Sequence, residues 1–226
     1  MFFEHRSKQA EYFDLPGRAE AETLEEFRDL DRLNWFFLFA KPFEEVLPRM
    51  LGKERCARLE ILDVGAGTGT LGRKLSAWAK KRGWEWRFTN LDANPLVLKS
   101  GQTSPVVIGS ALALPFPDNS FDVVVASQMT HHLTDEEVVT HLREAWRVTR
   151  RAVLISDLHR NIGLYSMLWL LPQLMGVSRS VKADALISVK RGFHLAELRE
   201  LAGKAGLPEA KVWLYYGTRI LLQAKK

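Results

Sequence analysis

The sequence predicts an open α/β fold, a mostly parallel sheet with helices on both faces, and three observations carry that prediction. In residues 59–72 a short apolar run closes on Asp63 and then on Gly65, Gly67 and Gly69. An apolar run of this length reads as a buried strand, and glycines after it allow a sharp turn whose bare main chain a ligand can touch. Strand-like runs at 86–91, 106–108, 123–126 and 153–155 then alternate with helical patterns, the signature of strand–helix–strand units. Right-handed crossovers bring the ends of such parallel strands to one edge, so Asp92 at the end of the second run reaches the edge that carries the glycine turn.

The elements follow in order. Leu24, Phe27, Leu30 and Leu33 have helical spacing, and Pro42 and Pro48 punctuate what reads as two or three helices ahead of the glycine strand. The bulky run 35–39 cannot lie on one helix face, so it is either enclosed by the main domain or partly lines a cavity. Leu71, Leu75 and Trp78 mark one face of a helix over 71–82. Thr134 with Glu137 three residues on is a capping box that starts the helix after the fourth strand. Residues 193–205 form an amphipathic helix stopped by Gly206 and Pro208, with His194 where a cap is expected, and two final strands flank Gly217 and Thr218.

Composition excludes several classes. A chain of 226 residues, 46% hydrophobic, holds one substantial core. It reads as an N-terminal helical cap over 1–58 and a main domain over 59–226, with a helical insertion at 161–192. The net charge of +5 comes from short basic clusters such as Lys80, Lys81 and Arg82, which fit solvated helix ends better than a nucleic-acid surface. A single cysteine, Cys56, rules out an internal disulfide framework and a cysteine-based zinc site, and no carboxylate set has metal-ligand spacing, so no metal is expected. The N-terminus lacks the apolar core of a secretory signal, and the apolar run before Pro172 is too short to span a bilayer. The expectation is a cytoplasmic monomer or homodimer with no stable membrane insertion and no nucleic-acid partner.

Asp63 two residues before Gly65-x-Gly67-x-Gly69, Asp92 at the second strand end, and Leu114-Pro115-Phe116-Pro117-Asp118 followed by Ser120-Phe121-Asp122 and a valine strand form a set. It resembles the class I S-adenosylmethionine-dependent methyltransferases, in particular the small-molecule type related to quinone biosynthesis. The dinucleotide fingerprint is not met, because its third glycine position is Thr70. The resemblance covers residues 59–222. It implies a Rossmann-like seven-stranded sheet closed by a C-terminal antiparallel hairpin, with S-adenosylmethionine as cofactor. It further implies donor contacts from Asp63, Gly65, Ala66, Gly67, Thr68, Gly69, Asp92, Ala93, Ser110, Ala111, Leu112, Ser127 and Gln128. Asp92 can accept both hydroxyls of a ribose, or cap a helix over 94–99. The family usually has an acidic residue where Ser110 stands, which leaves the adenine contact weaker or served by the backbone of Ala111.

Methyl transfer from a sulfonium needs nucleophile, methyl and sulfur held in line, and an acidic acceptor needs a nearby base. His131 and His132 follow the fourth strand and are the candidates for that base, or else packed histidines that anchor the loop. His159 and His194 rank behind them. The variable segments are apolar and aromatic, so the expected acceptor is a hydrophobic small molecule, the hydroxyl of a phenol, polyketide or quinol. Trp35, His159, Arg160, Tyr165 and Trp169 are its expected contacts. Carbon methylation of a quinone precursor and a non-catalytic cofactor-binding protein are the alternatives. The motif used on exocyclic base amines and the paired glutamates of arginine methylation are both absent from the loop 127–132.

Overall fold

The computed structural model describes residues 3–14, 20–99, 103–207 and 209–226. Strands β1 (Arg58–Val64), β2 (Glu85–Asp92), β3 (Val106–Ile108), β4 (Phe121–Ser127), β5 (Thr149–Leu158), β6 (Lys211–Tyr215) and β7 (Arg219–Lys225) form one sheet in the order β3-β2-β1-β4-β5-β7-β6. The first five are parallel; β7 runs antiparallel between β5 and β6. The expected seven-stranded, mostly parallel sheet with a C-terminal hairpin is the one observed.

Side chains alternate across a strand, so central strands must be apolar on both faces. Leu62, Val124, Val153 and Leu222 meet α4 (Asp135–Val148) and α7 (Leu195–Lys204) on one side. Ile61, Val123, Leu154 and Leu221 meet α2 (Lys41–Leu51) and α3 (Thr70–Lys80) on the other. The helix α2, which lies within the expected cap, thus buries Phe43 and Leu47 in the core of the main sheet. What precedes it, α1 (Glu20–Phe36) and residues 3–14, lies with α5 (Ile162–Leu174) and α6 (Arg179–Arg191) above the edge where β1 and β4 end.

Three expectations shift in detail. Residues 94–99 give a 3₁₀ turn, Pro95–Lys99, not a regular α-helix. Strand β5 starts four residues ahead of the apolar run 153–155, because Arg150 and Arg151 at its start are ion-paired with Asp122 at 3.6 and 3.2 Å. Helix α5 runs past Pro172 to Leu174, less than one further turn. The run 35–39 is split by a turn in which Leu38 takes a left-handed backbone (φ 49°) and is exposed, while Phe37 and Phe39 line a cavity.

Thr134 caps α4 as its sequence predicts: its hydroxyl accepts the Glu137 N–H (3.3 Å) and the Glu137 carboxylate accepts the Thr134 N–H (2.8 Å). Thr134→Ala is expected to lower unfolding free energy by about 1 kcal/mol. A urea titration in which the midpoint does not move would show that the box contributes nothing to stability.

Candidate active site

β1 has β2 on one side and β4 on the other, so the strand order reverses here and a crevice opens beyond the carboxyl ends of the two strands. A cavity of about 430 Å³ occupies it. Its floor is the turn after β1. The Gly65 and Ala66 N–H groups donate to the Leu91 carbonyl (2.8 and 3.1 Å), which ties the turn to β2. Gly65 sits at φ 70°, and a Cβ there would fall 2.2 Å from Met129 Cγ, so Met129 packs directly on the bare backbone.

Asp92 accepts from both the glycine turn and the turn after β2. Its Oδ2 accepts the Gly67 N–H (2.8 Å) and its Oδ1 the Asn94 N–H (2.9 Å), while the carboxylate still lines the cavity. Asp63 lines the same floor fully buried, with Oδ2 lacking a hydrogen-bond partner. Burial first, and the neighbouring Asp92 second, push its pKa up to about 8. Ser127 Oγ is a second unpartnered buried atom on this wall.

Helix α1 roofs the floor. The Thr68 and Thr70 hydroxyls donate to Asp31 Oδ2 (2.9 and 3.0 Å), and Gln128 Nε2 donates to Asn34 Oδ1 (2.5 Å). These bonds hold Phe27, Leu30 and Leu33 over the cavity.

The loop after β4 supplies the far end. Ser127 pairs with Ser156, which brings the loop beside Asp157 on β5. His131 is buried, its Nδ1 2.6 Å from Asp157 Oδ1, and its Nε2 faces Glu11 Oε1 at 3.4 Å. His132 Nδ1 lies 3.0 Å from Asp14 Oδ1, and its Nε2 lies 3.8 Å from Glu11 Oε2. Burial alone would lower the His131 pKa, but the Asp157 and Glu11 carboxylates overcome it and raise it to about 10. Glu11 is held below the usual carboxylate range: its burial opposes this, and His131 prevails. A base titrating near neutrality, the role expected of His131, therefore does not fit this setting.

Of the expected donor-contact residues, Asp63, Gly65, Ala66, Gly67, Thr68, Asp92, Ala93, Ser110, Ala111, Ser127 and Gln128 line the cavity; Gly69 and Leu112 do not. Gly69 instead caps α3 in a left-handed conformation, and the Leu112 N–H donates to Ser110 Oγ (3.1 Å).

The expected acceptor contacts fare differently. Leu164 and Leu168 turn one face of α5 into the cavity, so Tyr165 and Trp169, each one residue on, are rotated away from it. Tyr165 packs edge-on against Phe3 and Trp169 is 58% exposed. Arg160 is fully buried and donates to the carbonyls of Phe3, Glu4 and Gly192 and to the Glu197 carboxylate. It clamps the N-terminal segment rather than touching the cavity. His159 Nδ1 lies 3.0 Å from the Gly217 carbonyl, also outside. His194 is the α7 cap position, its N–H donating to Glu197 Oε2 (2.8 Å). Trp35 falls in α1, and its side chain lies outside the described residues.

The cavity also contains residues that sequence reasoning missed: Glu11, Asp14, Asp31, Asn34 and Arg219. Asp157 lies in the same segment as the expected contacts His159 and Arg160, and of the three it is the one that pairs with a cavity residue, His131. Arg219 is 5% exposed and its Nη1 has no hydrogen-bond partner, although burial, opposed by Asp157, lowers its pKa only to about 10.

Comparison with known proteins agrees with this geometry. Residues 62–155 match the family profile described as a methyltransferase domain. A demethylmenaquinone methyltransferase of Roseiflexus castenholzii is 36% identical over 98 residues, 42% of this chain and 39% of that protein. The chain thus spans about two fifths of the length of the curated relatives it matches. A SAM-dependent methyltransferase from Aquifex aeolicus superposes with TM-score 0.61 at 16% identity, covering 92% of this chain and 99% of that one. The plantazolicin methyltransferase BamL, solved with SAH and a desmethyl substrate analogue, superposes with TM-score 0.69 at 12% identity over 91% of both chains. Residues 62–155 thus match a methyltransferase-domain profile, and the chain has the fold of these solved methyltransferases.

Gly65→Ala and Gly83→Ala share the strain of a left-handed backbone, about 1–2 kcal/mol, but only Gly65 has a neighbour within reach of a new Cβ. Gly65→Ala is expected to lower the urea midpoint clearly more than Gly83→Ala. Equal shifts would show that Met129 moves aside without cost.

Proposed function

We propose that this chain, a class I methyltransferase related to the enzymes of quinone biosynthesis, transfers a methyl group from S-adenosylmethionine to an oxygen of an apolar, ring-bearing small molecule. The observation that carries the reading is one cavity with two chemically different ends. The floor offers bare glycine backbone, the Asp92 carboxylate, and the buried, unpartnered oxygens of Asp63 and Ser127. Those groups fit a ligand with hydroxyls and a cationic amino-acid tail. When bound, S-adenosylmethionine supplies a methyl already activated by a positively charged sulfur. The chain then has to orient two reactants and exclude water.

At the other end the walls are Leu30, Leu33, Phe37, Leu164, Leu168 and Val181, with Glu11, His131, His132 and Arg219 as the polar groups. An apolar wall with a few converging polar groups suits a ring bearing an ionisable hydroxyl. Arg219 would receive an oxygen of the acceptor, and the histidine cluster would favour the ionised, nucleophilic form of a hydroxyl placed against it. Residues 3–14 and α1 act as the lid; α5 and α6 form the acceptor wall. The similarity to a demethylmenaquinone methyltransferase favours a quinol among such acceptors. A quinol can be methylated on carbon or on oxygen, and the structure of the product separates the two.

Binding of the cofactor, which carries net positive charge, is expected to require ionised Asp63. With an unliganded pKa of about 8, affinity should rise roughly tenfold from pH 7 to pH 8.5, with proton uptake by buffer, and then level off. Titration calorimetry checks this, and Asp63→Asn should remove the dependence. A flat pH profile in the wild type would overturn the role of Asp63.

Transfer itself is tested with labelled donor against a panel of phenols, quinols, fatty acids and amines, with mass spectrometry of the product. On the acceptor found, His132→Ala is expected to lower turnover by about 10²–10⁴-fold with cofactor binding intact. Full turnover in that variant would leave orientation alone as the source of rate.

A further inference from the structure

We infer that Glu11, His131 and His132 form a binding site for a divalent transition-metal ion at the acceptor end of the cavity. Each histidine has its Nδ1 on a carboxylate, His131 on Asp157 (2.6 Å) and His132 on Asp14 (3.0 Å). A carboxylate that accepts the Nδ1 proton fixes the ring's orientation and aims Nε2 outward, the arrangement in which metal-ligating histidines are held, and a bound ion would take the place of the proton on His131 Nε2. Both Nε2 atoms converge on the two oxygens of one carboxylate: 3.4 Å from His131 to Glu11 Oε1 and 3.8 Å from His132 to Glu11 Oε2.

The spacing suits a ligand set as well as an ion pair. Charge-assisted hydrogen bonds close to about 2.7–2.9 Å. Ligand atoms at about 2.0–2.1 Å from a tetrahedral ion lie about 3.3–3.4 Å apart. The His131–Glu11 separation has the second value, and a small rotation of the partly exposed His132 closes the other. Glu11 Oε1 and His131 Nε2 are moreover buried without a hydrogen-bond partner, in residues only 4% and 3% exposed. Two buried polar atoms that face each other at 3.4 Å without closing to a short hydrogen bond leave room for an ion to bridge them.

Three protein ligands, all on the cavity wall, leave a fourth position open toward the acceptor, as in sites that act on a substrate. Two imidazoles and a carboxylate favour a borderline ion such as Zn²⁺ over Mg²⁺ or Ca²⁺. An acceptor hydroxyl on the open position would ionise more readily. This last role rests on the methyl-transfer reading above; binding of the metal does not. Because Glu11 belongs to the N-terminal segment, the ion would also fasten that segment over the cavity.

The test uses the full chain, stripped with chelator and titrated with Zn²⁺ alone by calorimetry. The expected result is one Zn²⁺ per chain with micromolar or tighter affinity. The double variant His132→Ala/Glu11→Gln, checked for fold by circular dichroism, should lose that binding. Asp14→Asn, which removes the carboxylate that orients His132 and also pairs with Arg191 (3.0 Å), should weaken it by about 10–100-fold. Zn²⁺ should also slow proteolysis within residues 3–14 in the wild type and not in the double variant. Equal Zn²⁺ binding by the wild type and the folded double variant, or none by either, would overturn the site and leave an ion-paired cluster. Undiminished transfer by metal-free protein would overturn the metal's role and leave the methyltransferase reading standing. Zn²⁺ binding without cofactor binding would do the reverse.

Discussion

The carboxylate of Asp157 has no exposure to water, and the structure around it follows from the need to compensate a charge there. It accepts from His131 Nδ1 (2.6 Å), the His131 N–H (3.1 Å) and the Leu158 N–H (2.7 Å). Removing one member of such a buried pair typically costs about 3–5 kcal/mol, because the other is left uncompensated. The loop after β4 therefore has one course open to it, with His131 turned in against β5. That course leaves the carbonyls of His131, His132 and Leu133 to be satisfied elsewhere, and Arg6 and Arg191 satisfy them. Arg6 belongs to the N-terminal segment, so the compensation of one buried carboxylate also brings Glu11 and Asp14 to the cavity.

Helix α1 is held differently from the core. Helix α2 is fixed by burying Phe43 and Leu47 in the sheet's apolar layer, whereas α1 is latched to the glycine turn and β4 loop by Asp31 and Asn34. The neutral Gln128–Asn34 bond contributes about 1 kcal/mol net and each bond to the Asp31 carboxylate about 1.5–3 kcal/mol, few contacts beside a buried apolar layer. Elements held by few such contacts are the ones that open on their own while the core stays folded. The cavity is thus roofed by the part of the chain that opens most readily, and the latch residues Asp31 and Asn34 line it.

Arg160 shows how far a local reading can mislead about a charged side chain. From sequence it sits five residues past the apolar run 153–155, in the segment delivered to the ligand edge, a good address for a substrate contact. In the fold its guanidinium is fully buried and spends its donors on carbonyls from the N-terminal segment and the end of α6. Its contribution to the site is indirect: it holds the segment that carries Glu11.

Local structure was determined by the sequence alone wherever neighbouring residues decide it. The continuous apolar runs of β1, β4 and β5, the sharp turn at Gly65, the Thr134 capping box and the end of β2 at Asp92 are written in adjacent positions, and crossover handedness then places Asp92 beside the glycines. The acceptor end was decided only by tertiary structure. Its groups come from the N-terminal segment, the loop after β4, β5 and β7, which no sequence spacing relates. On α5, aromatic character pointed to Tyr165 and Trp169, but a shift of one residue turns a side chain by about 100° around a helix, and the packing of α5 chose the Leu164 and Leu168 face. Which way a helix is rotated, and which distant carboxylate meets a buried histidine, depend on burial and charge compensation summed over the whole fold.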